Sequence, residues 1–504
     1  MSSSAEKKSR SSSRIIVIGA GIGGLTAAAL LARQGYSVLI ADRAWVPGGC
    51  ASTFKRRGFT FDVGATQVAG LEPGGIHHRI FEALDIAAPE ATYCDPACAV
   101  MLPGEAEPIR VWRDPDRWRQ ERQAQFPGSE PFWQFLNTLF EASWAFQARD
   151  PAIPPRNLWD LWQTAKALRP RTLVTVPHIF STVGTALRAY GLERDRRLKT
   201  FLDLQLKLYS QVDADETALL YAATALGVSQ SPQGLFHLQG SMQVLSDRLV
   251  TALKRDGGDL RMRHCAKTIH VERGRATGVT LENLKTGELF FEAADRIVAN
   301  VTVQNLVDLL GDRAPAGYRQ RVEKLPQSSG AFVIYLGVDA AAIPPGCPPH
   351  LQFLYDYDGP IGENNSLFVS VSQPHDGRAP DGKATIIASS FTDPNLWNRA
   401  EDYEQLKQTY AKTAIARLSQ YFHLDERTIL HRETATPRTF ERFTGRSLGI
   451  VGGIGQRANT FGPFGFANRT PIKNLWLVGD STHPGEGTAG VSYSALTTVR
   501  QITA

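Results

Sequence analysis

The segment GAGIGGLTAAALLARQGYSVLIAD, residues 19–42, constrains this chain more than any other. Gly19, Gly21 and Gly24 stand at the spacing G-x-G-x-x-G, behind the apolar run RIIVI (14–18) and ahead of an alanine- and leucine-rich helical pattern. Such a run reads as a buried strand, a tight turn at Gly19, bare backbone at Gly21 that a pyrophosphate can approach, and a helix that Gly24 lets sit close to the sheet. Ala20, Ile22 and Gly23 complete the turn. Phosphates would rest on the helix N-terminus, where unpaired N–H groups and the positive end of the dipole favour an anion. A second strand, 36–40, leads to Asp42, about 20 residues past the glycines, where a carboxylate accepts both ribose hydroxyls. Chance glycines in an ordinary strand-turn-helix would not also supply the second strand and its acid in register. NAD and FAD both satisfy this segment.

At 504 residues the chain exceeds what one core accommodates, so two or more domains are expected, with interior enough to bury a large ligand. A content of 42% hydrophobic and 21% charged residues describes a globular protein. The net charge of +5 is slight and mildly favours anionic surfaces such as lipid headgroups. There is no basic block of the kind that grips nucleic acid, so no nucleic-acid partner is expected. The five cysteines (Cys50, Cys94, Cys98, Cys265, Cys347) are odd in number and scattered, which reads as free thiols in a reducing compartment. Cys94 and Cys98 have no second pair and the histidines no ligand spacing, so no metal site is expected. Residues 1–13 are serine-rich and read as a disordered tail without the apolar centre of a secretory signal. No apolar stretch reaches the roughly 20 residues that span a bilayer, so any membrane contact is expected to be peripheral, on the cytoplasmic side.

Along the chain, strand and helix alternate from Arg14 to about Gly70 and end in FKRRGFTFDVGATQ, a hairpin-like element. Residues from about 75 to 230 are rich in tryptophan, proline and helical patterns, with no parallel-strand rhythm. A helix then starts at QGSM (239–242), followed by a β-meander with Gly274 and Gly287 at its turns and a buried strand over RIVAN (296–300) that returns to the first sheet. A second excursion, about 328–440, holds three alternating strands and an amphipathic helix over 401–422. The fold class is therefore α/β: a Rossmann-type dinucleotide domain of the glutathione reductase kind, from 14–75, 232–325 and 441–504, interleaved with an α+β substrate domain from 76–231 and 326–440.

The last segment selects the dinucleotide. KNLWLVGDSTHPGEGTAGV is a strand ending in Gly479-Asp480, a glycine-rich turn and a helix starting near 487–490. Asp480 can accept from a flavin's ribitol hydroxyls, and the helix N-terminus, at Gly490 and Val491, points its dipole at the isoalloxazine edge that turns negative on reduction. The Pro47-Gly48-Gly49 turn after Asp42 is a second place where bare backbone can approach the cofactor. Together these elements choose FAD over NAD.

These motifs, with VPGGCASTF, LQGSMQVLSDRL, GRATGV and ADRIVANV, make the chain resemble the FAD-dependent carotenoid desaturases and isomerases of the flavin amine oxidase superfamily, over nearly its whole length from Arg14. A narrower resemblance, carried by GGCASTFKRRGFTFDVGATQVAGLEPGGIHHRIF and DLQLKLYSQVDADETALLYAATAL, is to the cyanobacterial C-3',4' desaturase of monocyclic carotenoids on the route to myxol-type xanthophylls. The resemblance implies that the backbone of Ala266, where the family has valine, brackets adenine. It also places Cys50 where many relatives carry an arginine for the pyrophosphate. No cysteine follows Cys347, so FAD is expected to be non-covalent.

The implied substrate is a lipophilic polyene without charge, held in a hydrophobic tunnel. Because a polyene delocalises a cation, no catalytic side chain is required by the chemistry, and none is assigned. Asp62 reads as a hydrogen-bonding cap, and His483 as either a flavin contact or a loop histidine satisfied locally. Residues 156–207 hold ten Lys or Arg against four acids, interleaved with Trp159, Trp162, Leu168, Phe180 and Leu187, a pattern able to lie in a headgroup layer. The expected activity is desaturation. A cis-trans isomerase using reduced FAD, an amine oxidase and a non-catalytic carotenoid carrier are the alternatives, and the oligomeric state is left open.

Overall fold

The computed structural model describes residues 13–504. The expected disordered tail falls, apart from Ser13, outside them. Five strands form one parallel sheet: β1 (Arg14–Ile18), β2 (Ser37–Asp42), β3 (Asp259–Met262), β4 (Arg296–Ala299) and β5 (Leu475–Leu477), in the order β5-β4-β1-β2-β3. Both faces of this sheet are covered, which is why β1, β2, β4 and β5 read as largely unbroken apolar runs rather than alternating ones. Ile15, Val17, Val38 and Ile40 point to a helical layer; Ile16, Ile18, Leu39 and Ala41 point to the opposite face. The helical layer consists of α1 (Ile22–Arg33), α2 (Gln243–Arg255) and α3 (Thr488–Thr503). α1 is almost wholly buried, and its alanines let both neighbouring helices pack closely. The meander covers the other face as three antiparallel strands, His264–Glu272, Arg275–Asn283 and Leu289–Ala293, turning at Gly274 and Gly287 as the sequence predicts.

A second sheet has seven strands in the order Ile429–Ala435, Gly330–Asp339, Lys383–Thr392, Ser366–Val371, His350–Leu354, Cys98–Met101 and Ile109–Val111. All its pairs are antiparallel except His350–Leu354 with Cys98–Met101, where Leu351 lies opposite Ala99. The two strands of that parallel pair come from opposite excursions, so it leaves no parallel-strand rhythm within 75–230. The predicted hairpin forms as Thr53–Arg56 with Phe59–Asp62. Its Phe59 and Phe61 pack against Tyr335 and Ile387 of the seven-stranded sheet, while its Asp62 and Thr53 accept from the Met242 and Gln243 amides at the start of α2, so it joins that sheet to the helical layer.

The stretch 156–207 divides in two. Leu187 and the helix Arg196–Ser210, with Leu198, Phe201 and Leu202, are core, contrary to the expectation of one continuous surface. From Leu158 to Phe180 the apolar side chains do face out: Leu158 is 84% exposed, Trp162 62%, Leu173 62% and Phe180 74%. None of the helices among the described residues is long and apolar enough to cross a membrane.

Candidate functional site

A single large cavity of about 1510 Å³ opens at the C-terminal ends of β1 and β4, where the strand order reverses direction and ligands bind in open α/β sheets. Ligand pockets usually measure about 300–1,000 Å³, so the space exceeds one small molecule. Two helices start on it. Neither the N-cap of α1, Gly21, nor that of α3, Gly487, provides a side-chain hydrogen bond. Their first-turn N–H groups are thus left for a ligand, and both dipoles favour negative charge there.

Gly19 leaves β1 at φ +93°, and a Cβ on it would lie 2.6 Å from the Asn300 carbonyl oxygen. A Cβ on Gly24 would lie 2.0 Å from the Gly19 carbonyl oxygen, so Gly24 sets the closeness of helix and turn. Gly19, Gly21, Ile22 and Gly23 line the cavity. Ala20 is buried behind them and donates its N–H to Asp42 Oδ2 at 2.6 Å, while the Ala44 N–H donates to Oδ1 at 2.6 Å. Asp42 therefore clasps the glycine turn as well as facing the cavity. Burial pushes its carboxyl up, against the pull of these two amides. Gly48 donates its N–H to the Ala20 carbonyl, and Gly49 packs against the Gly21 Cα, so the two bare loops touch and line the cavity side by side. Ala266 and Cys265 line the same end, with Cys265 in electrostatic reach of Arg43 and Asp42.

Gly479, Asp480, Gly490 and Val491 all reach the cavity wall from the last strand and α3. Asp480 is not left alone there: its Oδ2 lies 2.8 Å from Arg446 Nη1, and Arg446 also donates to the Ile450 and Gly452 carbonyls. Arg446 thus brings a fixed cation into the cavity beside Cys50, whose thiol burial pushes up. No motif pointed to Arg446, because it comes from a loop brought in by the tertiary fold. Asn300 was also missed as a site residue. It donates to the Gly19 carbonyl at 3.3 Å and touches the approach of Gly21, Gly23 and Gly479. Its signal was its place at the end of the returning strand, level with the other two strand ends.

His483 does not line the cavity. It is 6% exposed, meets the Gln147 amide and packs near Phe461 and Tyr493, and burial lowers its imidazole to about 4. The structural alternative for this histidine is the one realised, through a side chain and not through backbone. Asp62, 1% exposed, accepts from the Met242 N–H at the start of α2 and from Thr53 Oγ1, as its reading as a cap predicts. It also accepts from both Nε and Nη2 of the buried Arg378.

Beyond the glycine loops the cavity continues into an apolar chamber walled by Trp144, Leu208, Tyr209, Tyr221, Phe368 and Phe391. These come from the helices and the seven-stranded sheet of the second half of the molecule. The residues present fit an FAD: bare backbone and two uncapped helix starts for the pyrophosphate and the flavin edge, a carboxylate at each end for sugar or ribitol hydroxyls, and a volume that leaves room for a second molecule. Among the described residues no cluster has the make-up of a metal site, and all five cysteines are free.

Comparison with known proteins agrees with this geometry. The model of an NAD(P)-binding Rossmann-like domain matches residues 17–84. The chloroplastic prolycopene isomerase of Arabidopsis thaliana is 28% identical over 97% of this chain and 82% of its own length. The zeta-carotene-forming phytoene desaturase of Myxococcus xanthus is 26% identical over 97% of this chain and 94% of its own. The 4,4'-diapolycopene oxygenase of a Methylomonas species is 26% identical over 96% and 97%. Among solved structures, cyclohexylamine oxidase from Brevibacterium oxydans superposes with a TM-score of 0.63 at 17% identity, covering 98% of this chain and all of the other. An oxidoreductase from Methanosarcina mazei gives 0.64 at 16%, over 97% and 99%. At such identities these two structures attest the fold alone.

Proposed function

We propose that this chain, whose homologues are carotenoid isomerases and desaturases, is an FAD-dependent oxidoreductase that desaturates a carotenoid. The observation that carries the reading is the continuity of one cavity from a dinucleotide cradle into an apolar, aromatic-walled chamber. A polyene offers no charge to pair with, so its recognition has to come from such walls. The segments 14–75, 232–325 and 441–504 form the FAD-binding part, and 76–231 with 326–440 the substrate part. Gly19, Ala20, Gly21, Ile22, Gly23 and Gly24 shape the pyrophosphate loop, with Gly48 and Gly49 beside it. Asp42 holds the adenosine ribose, the backbone at Ala266 brackets adenine, Gly479 and Asp480 meet the ribitol, and Gly490 and Val491 start α3 at the pyrimidine edge. FAD is held non-covalently and supplies an acceptor for two electrons as hydride. The chain's own residues do the rest: the aromatic walls align the polyene and exclude water, and Arg446 fixes Asp480 in place.

The finer reading places the new double bond at C-3',4' of a monocyclic carotenoid, supported by the sequence stretches around Gly48 and Leu206. A second reading, cis-trans isomerisation, is favoured by the identity to prolycopene isomerases. Co-expression in cells accumulating acyclic and monocyclic hydroxylated carotenoids separates the two. A product two hydrogens lighter and red-shifted is the expected result; an unchanged mass with an altered spectrum gives the isomerase, and unchanged pigment refutes both.

The exposed apolar run from Leu158 to Phe180, with Arg156, Lys166, Arg169 and Arg171 around it, is suited to peripheral contact with a lipid surface. Phe180 packs on Phe464 at 5.1 Å, three residues from the cavity-lining Phe461, which puts this patch next to the chamber wall. Replacing Trp162 and Leu173 by glutamate should weaken binding to anionic vesicles, read by sedimentation, by about ten- to a hundredfold per side chain, at ~1.5–3 kcal/mol for each large apolar group returned to water, with flavin content unchanged. Equal binding by the variant would place the membrane contact elsewhere.

A further inference from the structure

Glu486 is an acid that neither the nucleotide cradle nor the apolar chamber explains. It sits in the turn between Gly485 and Gly487, immediately before α3, and lines the cavity. Its Oε2 accepts from Gln211 Nε2 at 3.0 Å. The loop at Gly452 passes so close that a Cβ there would lie 2.1 Å from this oxygen. Oε1 is buried without a hydrogen-bond partner, although the Gly453 amide faces the carboxyl, and Gln211 Oε1 is buried and unpartnered beside it. Gln211 itself is held at φ +67° at the end of the helix Arg196–Ser210, a conformation that costs a non-glycine residue strain. A strained amide aimed at a half-satisfied carboxyl, at the junction of the flavin edge and the chamber, is a costly arrangement for a merely structural acid.

We propose that the Glu486 carboxylate takes the proton that leaves the polyene, with Gln211 as the residue that positions it. The inference rests on the desaturase reading above. In that step two adjacent carbon–hydrogen bonds break: one hydrogen departs as hydride with its electron pair to FAD, the other as a proton to Glu486, an O–H bond forms, and the remaining electron pair becomes the C=C bond. Burial, and then the negative charge of Asp480, push the Glu486 carboxyl well above the ordinary carboxylate range, against the opposing pull of Gln211, Arg446 and the Gly453 amide. A base so raised is stronger than a surface carboxylate. The other ionisable groups that face it are Lys207, whose ammonium donates to the Gln211 carbonyl and is depressed by burial, and the buried phenol of Tyr221.

The test is Glu486→Gln in the FAD-loaded protein, with Glu486→Asp as the conservative variant. Flavin content should match the wild type in both. The Gln variant should lose about 10²-fold or more in kcat with KM little changed, and should lose the limb on which the rate rises with pH as the carboxyl ionises; the Asp variant should recover part of the rate and that limb. Without turnover, the infrared difference between wild type and Glu486→Gln should show a protonated-carboxyl carbonyl band that fades as pH rises. Wild-type kcat and pH profile in Glu486→Gln, or no such band, overturn the proton role while leaving the desaturase reading standing. A flavin-loaded wild type that leaves polyenes unchanged overturns the reading and this inference together.

Discussion

Gly21→Val is expected to give a folded protein that purifies without flavin absorbance. A Cβ on Gly21 meets only the Asn300 side-chain nitrogen, at 3.0 Å, so that side chain has to give by a few tenths of an ångström but no backbone is in the way. The valine methyl groups would project from the N-cap of α1 into the cavity, where the pyrophosphate has to touch backbone N–H groups. Far-ultraviolet dichroism should be unchanged and the visible flavin bands gone. Gly24→Val is the contrasting variant: its Cβ would fall 2.0 Å from the Gly19 carbonyl oxygen, so the helix must leave the sheet, and loss of stability should accompany loss of flavin. A Gly21→Val protein with full flavin absorbance would refute the placement of the dinucleotide on this loop.

Arg378→Met is expected to lower the stability of the protein by several kcal/mol, at about the cost of breaking a buried ion pair. Arg378 is 3% exposed and bridges Asp62 of the hairpin, Asp376 of its own loop and the Leu238 carbonyl ahead of α2. His237 Nε2 lies 2.9 Å from Asp376 Oδ2 in the same cluster. Removing the cation leaves Asp62 buried without its charge partner and Asp376 with His237 alone, a loss of about 3–5 kcal/mol, readable as a lower midpoint in urea. The cluster also sets a pH dependence. Burial opposes ionisation of Asp376, but His237 and Arg378 overcome it and hold its carboxyl below the ordinary 3.8. A carboxyl depressed on folding stabilises the folded state above its unfolded pKa and loses that contribution as pH falls through the folded one. Wild type should therefore lose stability below about pH 4, and Arg378→Met should show a shallower acid dependence from Asp376. An unchanged urea midpoint would show that water reaches these acids.

The nucleotide half was legible in the sequence because its signals are local. The glycine turn, Asp42 and the Gly479-Asp480 turn each stand next to the strand that places them, and the unbroken apolar runs of β1 and β4 follow from coverage on both faces. The second half was less so, because its order depends on pairings between distant segments. Cys98–Met101 finds its parallel partner only at His350–Leu354. Arg446 becomes a site residue through the approach of a loop, and no spacing along the chain announces that. The stretch 156–207 shows the limit of reading charge and aromatics together: Trp162 and Phe180 face out while Leu187 and Phe201 lie in the core, and composition gives both the same appearance.

The most direct measurement of the central claim is an anaerobic mixing experiment with the purified, flavin-loaded protein. Vesicles carrying an acyclic or monocyclic carotenoid are added, and flavin absorbance is followed together with the mass of the extracted pigment. Bleaching of the flavin in step with a pigment two hydrogens lighter is the result expected of an FAD-dependent desaturase. Flavin that stays oxidised with every polyene but bleaches with a primary amine would contradict it, and would move the chain to the amine oxidases with which it shares its fold.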